Sequence, residues 1–214
     1  MTESKQSKAP LHRRRATWIA AGLAAALVVG GAIVYKNVFH LRWFGAVEEG
    51  VLYRCRQPRG LRWRVLDRYG IHRVINLRTE VENPDELAES KRVCREKGVE
   101  FVHIPVASLL PNDEQIEQFL RAVRTSEGPV LLHCQHGRHR TGFMSACYRV
   151  VVQDWPVRRA IDVELIGYNA EPKAEDDDKL TKTVAILTRL KDNRAEWLAK
   201  TAPPVLAGAE TAAR

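Results

Sequence analysis

The sequence predicts an α/β fold, a central and mainly parallel sheet flanked by helices, preceded by a single N-terminal transmembrane helix. Three observations carry this reading. Short apolar runs rich in β-branched residues alternate with longer stretches of helical spacing, the pattern of strands joined by covering helices. Gly, Pro or Asn punctuates the junctions between them. Residues 16–35, ATWIAAGLAAALVVGGAIVY, contain no charge at all.

Residues 1–15 are polar and end in His12-Arg13-Arg14-Arg15, a segment expected to be disordered and cytoplasmic. At about 1.5 Å per residue, the twenty that follow span a hydrocarbon core of roughly 30 Å. A cleaved signal peptide is the competing reading. The run exceeds the roughly 7–15 apolar residues of a signal core, and no clear small-x-small site follows it. Five Lys/Arg precede the run, and only Lys36 and Arg42 follow closely. The positive-inside rule then puts the main domain outside the cytoplasm, in the periplasm of a bacterium. Residues 36–45 read as a linker whose Phe39, Trp43 and Phe44 suit a headgroup belt. The charge agrees with this division. Of the net +8, residues 1–43 hold +6 and the remainder only +2, so no nucleic-acid footprint is expected.

The domain is expected over residues 46–200. Val51-Leu52-Tyr53 reads as a strand with a turn at Gln57-Pro58, and Leu61–Tyr69 as a helix stopped by Gly70. Arg73–Leu77 is the next strand. Asn83-Pro84 opens a helix, the Pro tolerated in a first turn that needs no amide hydrogen, and Gly98 closes it. Val99–Val106 is a strand, Ala107–Pro111 a loop, and Asp113–Ser126 a helix. Val130-Leu131-Leu132 is a short buried strand leading through a glycine-containing loop to a helix from Arg140. Further helices are expected over Val157–Gly167 and along Leu180, Val184, Leu187 and Trp197. An acidic run, Glu175–Asp178, reads as a solvated loop without the spacing of a calcium site. Residues 201–214 form a loose tail. Cys55, Cys94, Cys134 and Cys147 have no zinc-like spacing; Cys55 and Cys94 are either a disulfide pair or two buried thiols.

The segment that carries chemistry is Val130-Leu-Leu-His-Cys-Gln-His-Gly-Arg-His-Arg-Thr-Gly142. A buried strand ends in a short loop that feeds a helix N-terminus. Such a loop points successive amides into one concavity, where the helix adds partial positive charge. Cys134 at its floor is expected to be a thiolate. Arg140 can fork two donors onto phosphoryl oxygens. Gly137 permits a tight turn, and Thr141 can donate its hydroxyl to the sulfur. His133 is expected to orient the cysteine through hydrogen bonds. His136, Arg138 and His139 either add positive charge inside the loop or are ordinary solvated residues.

His133-Cys134-x5-Arg140-Thr141-Gly142 resembles the signature of the protein tyrosine phosphatase superfamily. Leu52-Tyr53-Arg54 with Gln57-Pro58, and Gly70 through Arg78, are similar to the opening of compact dual-specificity phosphatases of bacterial and plant-and-fungal atypical branches. The likeness covers roughly residues 46–168. It implies the cysteine-phosphatase fold and metal-free, cofactor-free transfer of phosphate to a cysteine and then to water. Cys134 would be nucleophile and Arg140 the clamp, with the amides of Gln135, His136, Gly137, Arg138, His139 and Arg140 binding the oxygens.

The resemblance also implies a general acid, usually an upstream Asp. Between Pro105 and the next helix the only Asp is Asp113, which has two readings: acid, or member of a helix cap with Asn112 and Gln115. Glu114 is the next candidate. Arg78 and Glu80 resemble a family pair or form a plain ion pair. The expected substrate is phosphotyrosine, with phosphoserine or phosphothreonine besides, in proteins. The alternatives are an inositol polyphosphate or other small anionic phosphoester, or a binding module that has lost turnover.

Overall fold

The computed structural model describes residues 11–38, 41–108, 110–170 and 177–203. Most of the basic N-terminal segment, the start of the acidic run and most of the C-terminal tail lie outside these. The chain divides into two units, residues 1–40 and 41–214. In the first, Leu11–Val38 forms helix α1. Trp18, Ile19, Leu23, Leu27, Val28, Val29 and Tyr35 stand exposed on it. The expectation of a transmembrane helix over residues 16–35 is not borne out. Among the described residues no helix is long and apolar enough to cross a membrane.

The second unit holds a five-stranded sheet in the order β1-β2-β5-β3-β4, with β1 Gly45–Glu48, β2 Leu52–Arg56, β3 Arg73–Asn76, β4 Glu100–His103 and β5 Val130–Cys134. β2, β5, β3 and β4 run parallel, and β1 is antiparallel to β2. The sheet is therefore mixed, with one strand the sequence reading did not anticipate. β5 lies in the middle with all five residues buried, as its unbroken apolar Val-Leu-Leu requires of a strand covered on both faces.

Alternate residues of each strand face opposite layers. Leu52, Ile75, Val130 and Leu132 pack into the larger core with α4 (Asp113–Arg124), α5 (His139–Val151), α6 (Val157–Glu164), α7 (Asp177–Asp192) and α8 (Arg194–Lys200). Tyr53, Cys55, Val74 and Leu131 pack into the other with α2 (Val65–Arg68) and α3 (Pro84–Glu96). Leu41 is buried there too, and Phe44 lies against Tyr53 and Tyr69 with ring centroids 5.7 and 4.6 Å apart. Residues 41–45 thus belong to the folded unit instead of a linker. Cys55 and Cys94, buried in the same layer, are free thiols.

Capping residues set the helix starts. Asn83 caps α3 through the Glu86 amide with Pro84 in the first turn. Asn112 and Gln115 form a reciprocal capping box on α4. The segment expected as one helix over residues 61–69 is a 3-10 turn, Gly60–Arg64, running into α2. The last helix is divided at Asn193 into α7 and α8.

Candidate active site

Backbone bonds on both sides position the end of β5. The Leu77 amide donates to the His133 carbonyl at 2.9 Å, and the Gln57 amide to the Cys134 carbonyl at 2.9 Å. The chain then turns through Gln135–Arg138 into α5. Gly137 makes that turn at φ +72°, and an added Cβ would lie 2.5 Å from the Arg56 nitrogen and the Cys55 carbonyl. Only glycine meets both demands. The Gly137 amide points back at the thiol, 3.3 Å from Cys134 Sγ.

The guanidinium of Arg140 comes back to the same place from the first turn of α5. Its Nη1 donates to the carbonyls of Leu77 (3.3 Å) and Val106 (3.0 Å), and Nη2 donates to Glu82 Oε2 at 3.0 Å, with Nη1 on Oε1. Burial works against its charge, but Glu82 and the nearby Cys134 outweigh that and hold Arg140 above its ordinary range. Burial likewise pushes Glu82 up, and Arg140 and Arg78 overcome it, leaving the carboxyl below the usual carboxylate range. Arg78, 2% exposed, also meets Glu86 and the Gln57 side chain. Its carboxylate partners are Glu82 and Glu86, not Glu80. Glu82 escaped the sequence reading because nothing local marks one Glu of the Thr79–Glu82 segment as the partner of a residue 58 positions on.

His133 is fully buried, and neither ring nitrogen has a hydrogen-bond partner. Its contact with Cys134 is to the backbone, which favours the charged ring and is outweighed by burial. Burial first, then Arg78, lowers its pKa to about 3, so the ring is neutral; it packs edge-on to Trp63 at 6.1 Å. The hydroxyl of Thr141 is buried and likewise unpartnered. His136 is exposed, and Arg138 and His139 are half-buried. Burial and neighbouring guanidiniums, Arg56 on His136 and Arg138 on both, lower the two imidazoles below their ordinary range.

Asp113 has its described partner outside the loop. At the first position of α4 its carboxylate forks onto Arg189 of α7, with Arg189 Nη1 2.6 Å from Oδ2, and is 55% exposed. That hydrogen bond, against a smaller burial effect, holds its carboxyl below the usual range. Asn112, its neighbour, is the cap. Among the described residues no group of His, Cys, Asp and Glu is arranged to hold a metal ion.

A thiol facing a guanidinium, in a loop between a central strand and a helix N-terminus, can attack and grip a tetrahedral oxyanion. Residues 33–183 match the family model described as DSP-PTPase phosphatase fused to NAD+ kinase. Among curated proteins, the dual specificity protein phosphatase TpbA of Pseudomonas aeruginosa is 28% identical over 168 residues, 71% of this chain and 73% of that protein. The inositol diphosphatase DSP3 of Arabidopsis thaliana is 30% identical over 115 residues, 52% of this chain and 55% of that protein. Two crystal structures share the fold. The core catalytic domain of the PP-IP phosphatase SIW14 from S. cerevisiae has a TM-score of 0.57 at 22% identity, over 75% of this chain and 97% of that one. P. aeruginosa TpbA has a TM-score of 0.54 at 24% identity, over 72% and 96%.

Proposed function

We infer the reaction from family and loop together: the chain belongs to the DSP-PTPase phosphatases, and we propose that it cleaves phosphotyrosine in proteins through a phosphocysteine on Cys134. The observation that supports this most is the thiol of Cys134 set against the Arg140 guanidinium, with the Gly137 amide on the sulfur. Sγ attacks phosphorus, and the P–O bond to the leaving group breaks as the S–P bond forms. Loop amides and Arg140 hold the three remaining oxygens. Water then attacks phosphorus, the S–P bond breaks, and orthophosphate leaves. Glu82 fixes the guanidinium beforehand, so little ordering remains when substrate enters. Asp113 is committed to Arg189, and its substitution by Asn is expected to leave turnover of phosphotyrosine peptide within about threefold.

A second reading, a small polyanionic phosphoester such as an inositol polyphosphate, draws on two observations. The mouth of the loop gathers Arg56, Arg138 and Lys179 around His136 and His139. The carboxylate at the loop, Glu82, is committed to guanidiniums rather than held as an acid. Among such substrates this favours an inositol pyrophosphate, whose leaving group is itself a phosphate, departs as a weak base and needs little protonation.

One panel separates these readings: para-nitrophenyl phosphate, phosphotyrosine peptides and inositol phosphates, each with wild type and Cys134→Ser. Turnover of the peptides, lost in Cys134→Ser, is the expected result. Preference for inositol phosphates would shift the substrate. Binding without turnover of any of them would leave a recognition module.

A further inference from the structure

Arg54 lies behind the loop, in β2, with 0% of its surface exposed. Its Nη2 donates to the carbonyl of Gly137 at 2.9 Å and, more weakly, to that of Arg138 at 3.4 Å. Its Nη1 is held by the carboxylate and the carbonyl of Glu164, both at 2.7 Å. The ring of Tyr168 stacks 3.6 Å from its guanidinium carbon. Glu164, 1% exposed, takes a second cation, Arg149 Nε, at 2.9 Å on Oε1. Helix α5 approaches this cluster through Gly142, where a Cβ would fall 2.5 Å from the Glu164 carbonyl.

A buried arginine is an expensive way to join strand to helix, and well-packed apolar residues commonly do as well or better. Here Nε has no partner at all, so the hydrogen bonding is not complete even on its own terms. What the arrangement does achieve is orientation. In a trans peptide the carbonyl and the amide hydrogen point opposite ways. Drawing the Gly137 oxygen back toward Arg54 turns the amide of Arg138 forward, to the side where the Gly137 amide already meets the thiol, while the Arg138 oxygen is held first by the Gly142 amide of α5 at 2.7 Å. Preset donors of this kind contribute most where charge develops on the phosphoryl oxygens.

We propose that Arg54 is a positioning residue of the phosphate loop, clamped by Glu164 so that it aims the amide of Arg138 at the bound oxyanion. The inference rests on the anion-cradle reading of the loop, and acts through backbone that no side-chain substitution in the loop itself can probe.

The test compares Arg54→Met, Arg54→Lys and Glu164→Gln in the full chain, by para-nitrophenyl phosphate kinetics, tungstate binding by calorimetry, and thermal melting. Arg54→Met leaves Glu164 paired with Arg149. It is expected to raise KM, lower kcat/KM by about 100-fold and weaken tungstate at least about tenfold, as lost oxyanion donors do. Arg54→Lys, with charge but no fork, is expected to fall between. Glu164→Gln, which loosens the clamp but keeps an acceptor for Arg54, is expected to lower the melting temperature and to weaken tungstate by less than Arg54→Met does; tungstate affinity falling as far as in Arg54→Met without loss of folding also supports the clamp. A scaffolding role would reduce the active fraction only, cutting kcat with KM and tungstate affinity unchanged; that result overturns the proposal. So does a folded Arg54→Met protein with wild-type affinity, or, should it not fold, a folded Arg54→Lys protein with wild-type affinity. If wild type binds tungstate but hydrolyses nothing, the phosphatase reading fails alone and the binding arm still judges Arg54.

Discussion

Gly137 is where one methyl group undoes the loop. Its φ of +72° and the 2.5 Å approach to β2 leave no room for a Cβ. Gly137→Ala is expected to cut para-nitrophenyl phosphate turnover at least about 100-fold, because misplaced donors lose oxyanion stabilisation. Its circular dichroism should stay native. His133 gives a pH signature. With the folded pKa near 3 and an unfolded value near 6.5, the unfolded state takes up the proton first as pH falls. Stability therefore declines below about pH 6.5, by up to about 1.4 kcal/mol per unit in the fully buried limit. Melting followed from pH 7 to 5 should show that slope, and His133→Asn should flatten it. At this scale Cys134, Gly137 and Arg140 were legible because their spacing lies within one short loop. Glu82, Arg54 and Glu164 were not, since each acts across a long stretch of chain and looks like any charged residue in its own segment.

Elements were readable where their signals are local. Asn83-Pro84 and Asn112 with Gln115 are complete caps in the sequence itself, and α3 and α4 begin where these dictate. Asn112→Ala is expected to cost about 1 kcal/mol of stability, measurable by urea unfolding. Asp113, one residue later, should cost less. Its pair with Arg189 is half exposed, and such pairs contribute roughly 0–1 kcal/mol. β1 escaped notice because Gly-Ala-Val-Glu buries only Val47 and owes its strand to pairing with β2. The division between α7 and α8 was hidden for the converse reason. Apolar spacing continues through Asn193, so periodicity alone does not mark where one axis ends and the next begins.

For the whole molecule, the alternation of strands and helices carried the parallel part of the sheet, and only its antiparallel edge was added by the structure. Among the described residues, the core of the second unit draws on Leu41 and residues after it. Removal of residues 1–40 is expected to leave a folded protein that keeps kcat/KM for para-nitrophenyl phosphate within about twofold; a collapsed or inactive fragment would show that the first unit is needed. Strand β5, which delivers Cys134, is flanked by a parallel partner on each side and by packed helices on both faces. Its amide protons can reach solvent only when the sheet itself parts. In deuterium oxide, the slowest-exchanging hydrogens should accordingly be those of Leu131, Leu132 and His133, tracking global unfolding. The nucleophile thus sits at the rim of a strand paired on both sides and covered on both faces, and motion that admits substrate or releases product is expected from the surrounding loops.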